Sequence, residues 1–177
     1  NNINWLEASD WVAPYLILGH AIGRLGCFLV GDCYGTVCTY PWSVTFKNGL
    51  PPTTYSNFSL YYPDIFNSNL FQSIYPVATT SDSLIYVHPT QIYESLIGFG
   101  IFLYLNNLRR SRKYYGMVMF EYLFLAGLAR FVIEFIRLNP KYILGLSGAQ
   151  IISVLMMLSG AICMKIYNSK IDIHGKK

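Results

Sequence analysis

The sequence predicts an all-α integral membrane protein: about four transmembrane helices with an irregular extracytoplasmic cap of loops and short strands. Two observations lead to this class. Apolar residues make up 53% of the 177 residues and charged residues only 12%, whereas soluble domains are usually about a quarter charged. The charged residues also avoid long stretches of the chain. The length fits one membrane domain over residues 1–177.

Four windows are apolar and long enough, or nearly so, to cross a bilayer as helices of about 20 residues. They are residues 11–30, 90–108, 115–136 and 148–167. Ionisable side chains interrupt the first three, and the fourth, GAQIISVLMMLSGAICMKIY, carries only one charge. Pro89 precedes the second window, and Pro140 and Gly145 precede the fourth, as expected of helix boundaries.

Basic residues predict the orientation of these helices. The sequence RRSRK at 109–113 joins the second and third windows, and short basic loops stay in the cytoplasm. The C-terminal tail, with Lys165, Lys170, Lys176 and Lys177, agrees. Both termini are then cytoplasmic, and segment 31–89 lies on the outer face. Nucleic-acid binding is the alternative explanation of such basic clusters. We prefer the explanation that these clusters flank membrane helices on the cytoplasmic side, so no nucleic-acid partner is expected.

Segment 31–89 forms the predicted cap. Its central part is rich in Tyr, Phe, Ser, Asn, Thr and Pro without a long helical period. The stretch WSVTF at 42–46 alternates like a short strand, and KNGLPP then marks a turn. Tyrosine suits the headgroup zone of a membrane. The N-terminal NNINWLEASDW is acidic and does not resemble a signal peptide.

The four cysteines do not predict a metal site, because they include no C-x-x-C pair. No cofactor is expected either. Cys33 and Cys38 could form a disulfide in an oxidising compartment. Packing or a disulfide is also the preferred interpretation of Cys27, and Cys163 lies in an apolar run.

Ionisable residues within the windows follow helical spacing. Arg130, Glu134 and Arg137 are four and then three residues apart, and so are on one helix face. His20 and Arg24 are four residues apart and also share a helix face. Gln91 and Glu94 are three residues apart, and His88 comes one turn before Gln91. A charged side chain at the bilayer centre costs about 2.5–3.5 kcal/mol on insertion scales. With the predicted orientation, these residues would converge in a polar pocket at the outer side of the membrane.

Simpler interpretations exist for several of them. His20 fits a packing histidine, Arg137 fits an arginine that extends to the interface, and Glu134 fits a neutralising partner of an arginine. However, guanidinium groups present a planar fork that suits phosphate, and the nearest phosphates are lipid headgroups. A carboxylate and a histidine beside them can manage protons. The residues therefore predict a phospholipid headgroup site.

Five motifs in order resemble the prolipoprotein diacylglyceryl transferase family. They are GRLGCFLVGDCYG at 23–35, PW at 41–42, HPTQIYE at 88–94, RFVIEFIR at 130–137 and SGAQIIS at 147–153. The resemblance implies transfer of a diacylglyceryl group from phosphatidylglycerol to the lipobox cysteine of a prolipoprotein signal peptide, with a thioether formed and glycerol phosphate released. It also implies a multi-pass protein of the bacterial cytoplasmic (inner) membrane, with its site toward the outer leaflet.

The resemblance assigns roles by motif position. Arg24, Arg130, Asp32, Glu94 and His88 correspond to catalytic positions, with the two arginines handling phosphate. The headgroup-binding set is Arg24, Arg130, Glu134, Arg137, Gln91 and Tyr93. Arginines placed in advance stabilise the charge that develops on the leaving phosphate. The thiol reacts as thiolate, and its base is left open among His88, Glu94, Asp32 and a residue of the family that is missing from this chain.

The chain departs from the family pattern at several positions. Cys27 and Val30 replace asparagines, Asp32 replaces glutamate, and Ala126 replaces a tyrosine. The family has seven spans where four are predicted here, which suggests a fragment or a shortened member. A non-catalytic phospholipid-binding paralogue or scaffold is therefore the alternative function. A small transporter or channel subunit is the third hypothesis, although the charges gather at one face.

Overall fold

The structure, a computed structural model, describes residues 4–75, 80–140 and 145–174 and is mostly helical. Four long helices are α1 (Trp5–Val30), α5 (Thr90–Leu108), α6 (Met117–Glu134) and α7 (Gly148–His174). Three short helices lie between α1 and α5: α2 (Tyr55–Tyr61), α3 (Pro63–Phe66) and α4 (Asn69–Ile74). A 3₁₀ turn, Arg109–Ser111, follows α5.

The four long helices occupy the four windows in which the sequence predicts spans. Two of them are long and apolar enough to cross a membrane, Trp5–Val30 and Gly148–Ser169, with mean hydropathies of 1.4 and 1.8. Helix α6 carries Glu121, Arg130 and Glu134 within its 18 residues. The helices fit a membrane protein, and the number of spans stays a prediction. Lys176 and Lys177 of the basic tail lie outside the described residues.

The chain divides into two compact units. Unit 1 comprises Asn1–Gly23, Glu94–Phe135 and Pro140–Lys177, and therefore most of the long helices. Its apolar core includes Ala13, Ile17, Leu105 and Val118. Unit 2 comprises Arg24–Tyr93 and Ile136–Asn139. Its core is mainly aromatic and includes Tyr34, Phe58, Phe71, Ile85 and Val87.

Helices α6 and α7 of unit 1 approach each other closely at two glycines. A Cβ atom added at Gly127 would lie 2.8 Å from the Ser153 carbonyl oxygen. One added at Gly160 would lie 2.7 Å from the Phe120 carbonyl oxygen. Small residues of this kind let helix backbones pack against each other, as is common between membrane helices.

The first turn of α6 is capped by α1. Asp10 is fully buried, and its carboxylate accepts hydrogen bonds from the backbone N–H groups of Gly116 (2.8 Å) and Met119 (3.0 Å). The Arg112 guanidinium lies 3.6 Å from the same carboxylate and donates to Glu7 at 2.9 Å. A carboxylate at this position satisfies N–H groups that the helix itself leaves unpaired.

Aromatic rings stack in the core of unit 2. Tyr34 packs against Phe58 at 6.3 Å between ring centroids, and Phe58 against Phe71 at 5.9 Å. The Tyr34 hydroxyl donates a hydrogen bond to the Pro51 carbonyl at 2.9 Å. Burial raises the pKa of Tyr34 well above its ordinary value. This core is an apolar interior of the kind found in soluble domains.

The described part of unit 2 contains isolated β-bridges instead of the expected short strands. Val44 of the stretch 42–46 pairs only with Val87, which also pairs with Val37. Pro41 and Pro51 flank this stretch, and proline has no N–H group with which to extend a ladder. The short strand expected at 42–46 is therefore reduced to a single bridge.

Candidate functional site

Ion pairs in unit 1 hold Arg130 between two buried carboxylates. Glu94, in the second turn of α5, and Glu134, at the end of α6, are 6% and 4% exposed. The Arg130 Nη1 atom lies 3.4 Å from Glu94 Oε1, and Nη2 lies 3.1 Å from Glu134 Oε2. The second pair follows from the four-residue spacing on α6. The guanidinium group is fixed from two sides before any ligand arrives.

The start of α7 extends this network. The Ser147 hydroxyl donates to Glu134 Oε1 at 2.7 Å and accepts the N–H of Gln150 at 3.2 Å. The Gln150 side chain accepts the N–H of Ser147 at 2.9 Å. Together they form a capping box, in which Ser and Gln three residues apart satisfy each other's backbone groups. The cap also orients the carboxylate that holds Arg130.

His20 of α1 completes the polar side of a cavity in unit 1. Its Nε2 atom lies 3.5 Å from Glu94 Oε2. The cavity has a volume of about 180 Å³, and His20, Glu94, Tyr122 and Arg130 contribute its polar groups. The rest of the lining is mostly apolar and includes Ile17, Ile101, Ala126, Ile133 and Met156. Such a cavity can hold an alkyl group beside ionic side chains.

In unit 2, two residues of the HPTQIYE motif hold the backbone at 32–33. The buried Gln91 donates its side-chain N–H to the Asp32 carbonyl, and the Thr90 hydroxyl donates to the Cys33 carbonyl at 2.9 Å. The Asp32 Oδ1 and Gln91 Oε1 atoms are buried, and neither accepts a hydrogen bond from the described residues. A Cβ atom at Gly35 would lie 2.7 Å from Thr90, so this position admits only glycine.

His88 and Tyr93 belong to an aromatic group in unit 2. The Tyr93 hydroxyl lies 3.3 Å from His88 Nδ1 and accepts a hydrogen bond from Trp42 Nε1 at 2.8 Å. Tyr40 stacks on Trp42 with 4.9 Å between ring centroids. Burial lowers the pKa of His88, because a low-dielectric environment disfavours the imidazolium form.

The residues predicted for the site are distributed over both units. Unit 1 contains Glu94, Arg130 and Glu134, and unit 2 contains Arg24, Asp32, His88, Gln91, Tyr93 and Arg137. Gly35 pairs with Arg137 in a β-bridge, which fixes the backbone after α6. Within unit 1, Arg130 forms the ion pair with Glu134 that their spacing favours. The convergence of all these residues in one pocket stays a prediction.

The four cysteines are free thiols, so the disulfide considered for Cys33 and Cys38 is not formed. The Cys33 backbone has a positive φ of 57°, and its sulfur belongs to another cluster. Ligand atoms of Cys27, Asp32 and Cys33 lie within 4.8 Å of one another. Thiolate and carboxylate are ligands for Zn²⁺, but a structural zinc site uses four protein ligands, and this cluster offers three.

Comparison with known proteins decides the family. The model of the prolipoprotein diacylglyceryl transferase family matches residues 1–166. The chain belongs to this family. The resemblance carried by the five motifs is therefore confirmed.

Several curated relatives of the prolipoprotein diacylglyceryl transferase family match most of the chain. The phosphatidylglycerol–prolipoprotein diacylglyceryl transferase of Finegoldia magna is 29% identical over 171 residues, which are 96% of this chain and 54% of the relative. That of Clostridioides difficile is 30% identical over 169 residues, 96% of this chain and 53% of the relative. The chain spans about half the length of the curated relatives it matches. No solved structure gives a significant match.

Two contributors to the unit 1 network in this diacylglyceryl transferase family member were not assigned a site role from the sequence. The helical spacing of His20 placed it with the residues expected to form a polar pocket, with a packing histidine as the simpler interpretation, and the structure has it beside Glu94 in the cavity. Ser147 is part of the motif SGAQIIS, and its spacing to Gln150 is the signature of a capping box. That signature could have predicted the cap. The hydrogen bond from Ser147 to Glu134 depends on tertiary structure.

Proposed function

We propose that this chain transfers a diacylglyceryl group from phosphatidylglycerol to the lipobox cysteine of prolipoproteins, with a thioether formed and glycerol phosphate released. The observation that supports the proposal most directly is Arg130, held by Glu94 and Glu134 at an apolar cavity, in a chain of this family. The relatives are named for the same activity. No cofactor is part of the proposal.

Arg130 is the proposed phosphate-binding arginine. Cleavage of the bond between the glyceryl carbon and the phosphate oxygen leaves an additional negative charge on the phosphate. A guanidinium group that is already in place stabilises this charge without reorganisation. The apolar lining around Ile17, Ile101 and Met156 suits the hydrocarbon of a lipid substrate. The motifs further support roles for Arg24, Asp32, His88, Gln91, Tyr93 and Arg137.

A transfer assay tests this function. The purified chain in phosphatidylglycerol micelles is expected to release glycerol phosphate only with a peptide that carries the lipobox cysteine, and not with its serine counterpart. Arg130→Ala should reduce the release by roughly 100- to 1,000-fold, the usual effect of removing one group that stabilises developing charge. Arg110→Ala, which changes an exposed arginine, is the matched control. Equal activity of the two variants would contradict the assignment of Arg130 as the phosphate-binding arginine.

The alternative is a phospholipid-binding relative without transferase activity. It is favoured by the departures at Val30 and Ala126 from the family motifs. It predicts saturable binding of phosphatidylglycerol without any peptide-dependent release of glycerol phosphate. Measured turnover would eliminate it.

We also propose the membrane topology. Helices α1, α5, α6 and α7 span the bacterial cytoplasmic membrane, both termini are cytoplasmic, and residues 31–89 form an outer cap, with the site toward the outer leaflet. Matched Ser→Cys substitutions at two exposed positions, Ser59 and Ser111, test this arrangement. With the four native free cysteines replaced by serine, a membrane-impermeant maleimide should label Ser59→Cys in spheroplasts and spare Ser111→Cys until the membrane is opened. The reverse pattern would invert the orientation.

A further inference from the structure

We infer that His20, positioned by Glu94, is the general base that accepts the thiol proton of the substrate cysteine. This inference rests on the proposed transferase function, and it answers a question that the motifs leave open. His20 lies outside the five motifs. The structure brings it to the same cavity as Arg130.

The geometry of the pair supports this role. His20 Nε2 lies 3.5 Å from Glu94 Oε2. The Glu94 side chain is only 5% exposed, whereas that of His20 is 45% exposed. The carboxylate is therefore fixed within unit 1, and the imidazole is accessible to an incoming group. Pairs of a buried carboxylate and a reachable histidine are a common arrangement for general-base catalysis.

The contact of His20 with Glu94 is electrostatic. The 3.5 Å between His20 Nε2 and Glu94 Oε2 is a salt-bridge distance and not a hydrogen bond. A carboxylate at this distance stabilises the imidazolium that forms when the ring takes up the thiol proton.

The other candidate bases fit less well. Glu94 is itself paired with Arg130 at 3.4 Å, and an ion-paired carboxylate is a weak proton acceptor. His88 lies against Tyr93 in unit 2, and burial lowers its pKa. Asp32 belongs to unit 2 and is not among the residues that line the cavity at Arg130. His20 combines a fixed partner with an accessible ring.

The proton and charge balance of the step are consistent with this cluster. The thiol proton moves to His20 as the sulfur attacks the glyceryl carbon, and the carbon–oxygen bond breaks with its electron pair on the phosphate oxygen. The new charge on the phosphate develops beside Arg130, which lies 3.4 Å from Glu94 and 3.1 Å from Glu134. A guanidinium group that is already in place stabilises this charge.

Charged and titratable groups from the other helices face this histidine as well. Helix α5 contributes Glu94, and α6 contributes Tyr122 and Arg130 to the cavity lining. Glu134 acts through Arg130 at 3.1 Å. The part of α7 that lines the cavity is Met156, which is uncharged. The ionisable side chains that line the cavity together with His20 are therefore Glu94, Tyr122 and Arg130.

The test compares histidine variants of the full 177-residue chain in the glycerol phosphate release assay. His20→Gln should lower the turnover number by roughly 100- to 10,000-fold, the range for a general base. Its rate should then increase with pH as the thiol ionises by itself, around pH 8.5. His20→Ala should regain activity with added imidazole. His174→Gln is the matched control and should behave like the parent protein.

Each outcome is decisive. Phosphatidylglycerol binding by His20→Gln at the parent level, with a lost turnover and an altered pH profile, supports the general base. A variant that keeps the parent turnover and pH profile overturns it, and so does loss of activity that imidazole does not restore in His20→Ala. If the parent protein itself shows no peptide-dependent release, the proposed function fails, and this inference fails with it.

Discussion

The two compact units differ in the charged groups that they bury. Unit 1 buries three carboxylates, Asp10, Glu94 and Glu134, beside its apolar core, and it exposes large apolar side chains such as Leu158. Unit 2 has an aromatic and aliphatic core, and the polar side chains buried among its described residues, Thr53, Thr90 and Gln91, are uncharged. Ionisable groups inside an apolar exterior are expected where lipid is the solvent, because lipid contact gives no penalty to leucine.

This difference indicates what stabilises each unit. In unit 1 the described polar contacts are specific pairs, such as Arg130 with Glu134 and Ser147 with Glu134. In unit 2 the aromatic core removes apolar surface from water. The same substitution should therefore have different consequences in the two units, and four predictions examine that contrast.

The largest expected effect concerns the aromatic core of unit 2. Phe58→Ala should reduce the free energy of unfolding by about 3–5 kcal/mol, because it removes a fully buried ring and leaves a cavity. Denaturant titration in mild detergent measures this change. Tyr61→Ala in the same helix is the control, since Tyr61 is 57% exposed. Comparable losses for both variants would contradict an aromatic core.

A charge on the exposed apolar surface distinguishes the units directly. Leu158→Lys on α7 should raise the apparent free energy of membrane insertion by about 2.5–3.5 kcal/mol. Leu60→Lys on α2 should change it by less than about 0.5 kcal/mol, although both leucines are more than half exposed. Cell-free synthesis into vesicles, with extraction at high pH, measures integration. Equal integration of the two variants would contradict the interpretation that lipid surrounds unit 1.

Helix packing in unit 1 gives an intermediate effect. Gly127→Ala should cost about 1–3 kcal/mol of unfolding free energy through overpacking, because its Cβ atom would lie 2.8 Å from the Ser153 carbonyl oxygen. Gly100→Ala on α5 has no atom within 4 Å and should be neutral or stabilising. Thermal unfolding in bicelles compares the two. A Gly127→Ala protein as stable as Gly100→Ala would mean that α6 and α7 are less closely packed.

The smallest effect is a pH dependence in unit 2. Burial lowers the pKa of His88, so the unfolded chain binds this proton more readily than the folded chain. Stability should therefore be complete well above the ordinary histidine pKa near 6.5 and decline as the pH falls through it. His88→Gln should flatten this decline, as measured by thermal unfolding between pH 5 and 8. An unchanged pH profile in the variant would assign the decline to other groups.

Local patterns predicted much of the helical structure. Helix α5 spans 90–108 as expected, because Pro89 precedes it and the basic run follows it. Helix α1 begins at Trp5, before the predicted window, since Asp10 and its neighbours are polar in sequence but obtain partners from distant residues. Helices α2 and α4 were missed, although Thr54 and Ser68 are N-cap residues of recognisable type.

The site was predictable where spacing alone defines a contact. Arg130 and Glu134 are four residues apart on one helix, and their ion pair follows from that spacing. The contact of Glu94 with His20 joins residues of different helices. No local period encodes such a pair, so the sequence alone could not separate His20 from an ordinary packing histidine.

The cap that Asp10 provides for α6 also has a consequence for biosynthesis. Asp10 and Gly116 are 106 residues apart in the chain, and ribosomes add about 5–20 residues per second. The aspartate is therefore made roughly 5–20 s before its partner N–H groups exist. During that interval α1 carries a carboxylate without its final ligands, so the nascent helix must wait at a hydrated location. The order of translation thus delays the closing of this end of the helix bundle until α6 emerges.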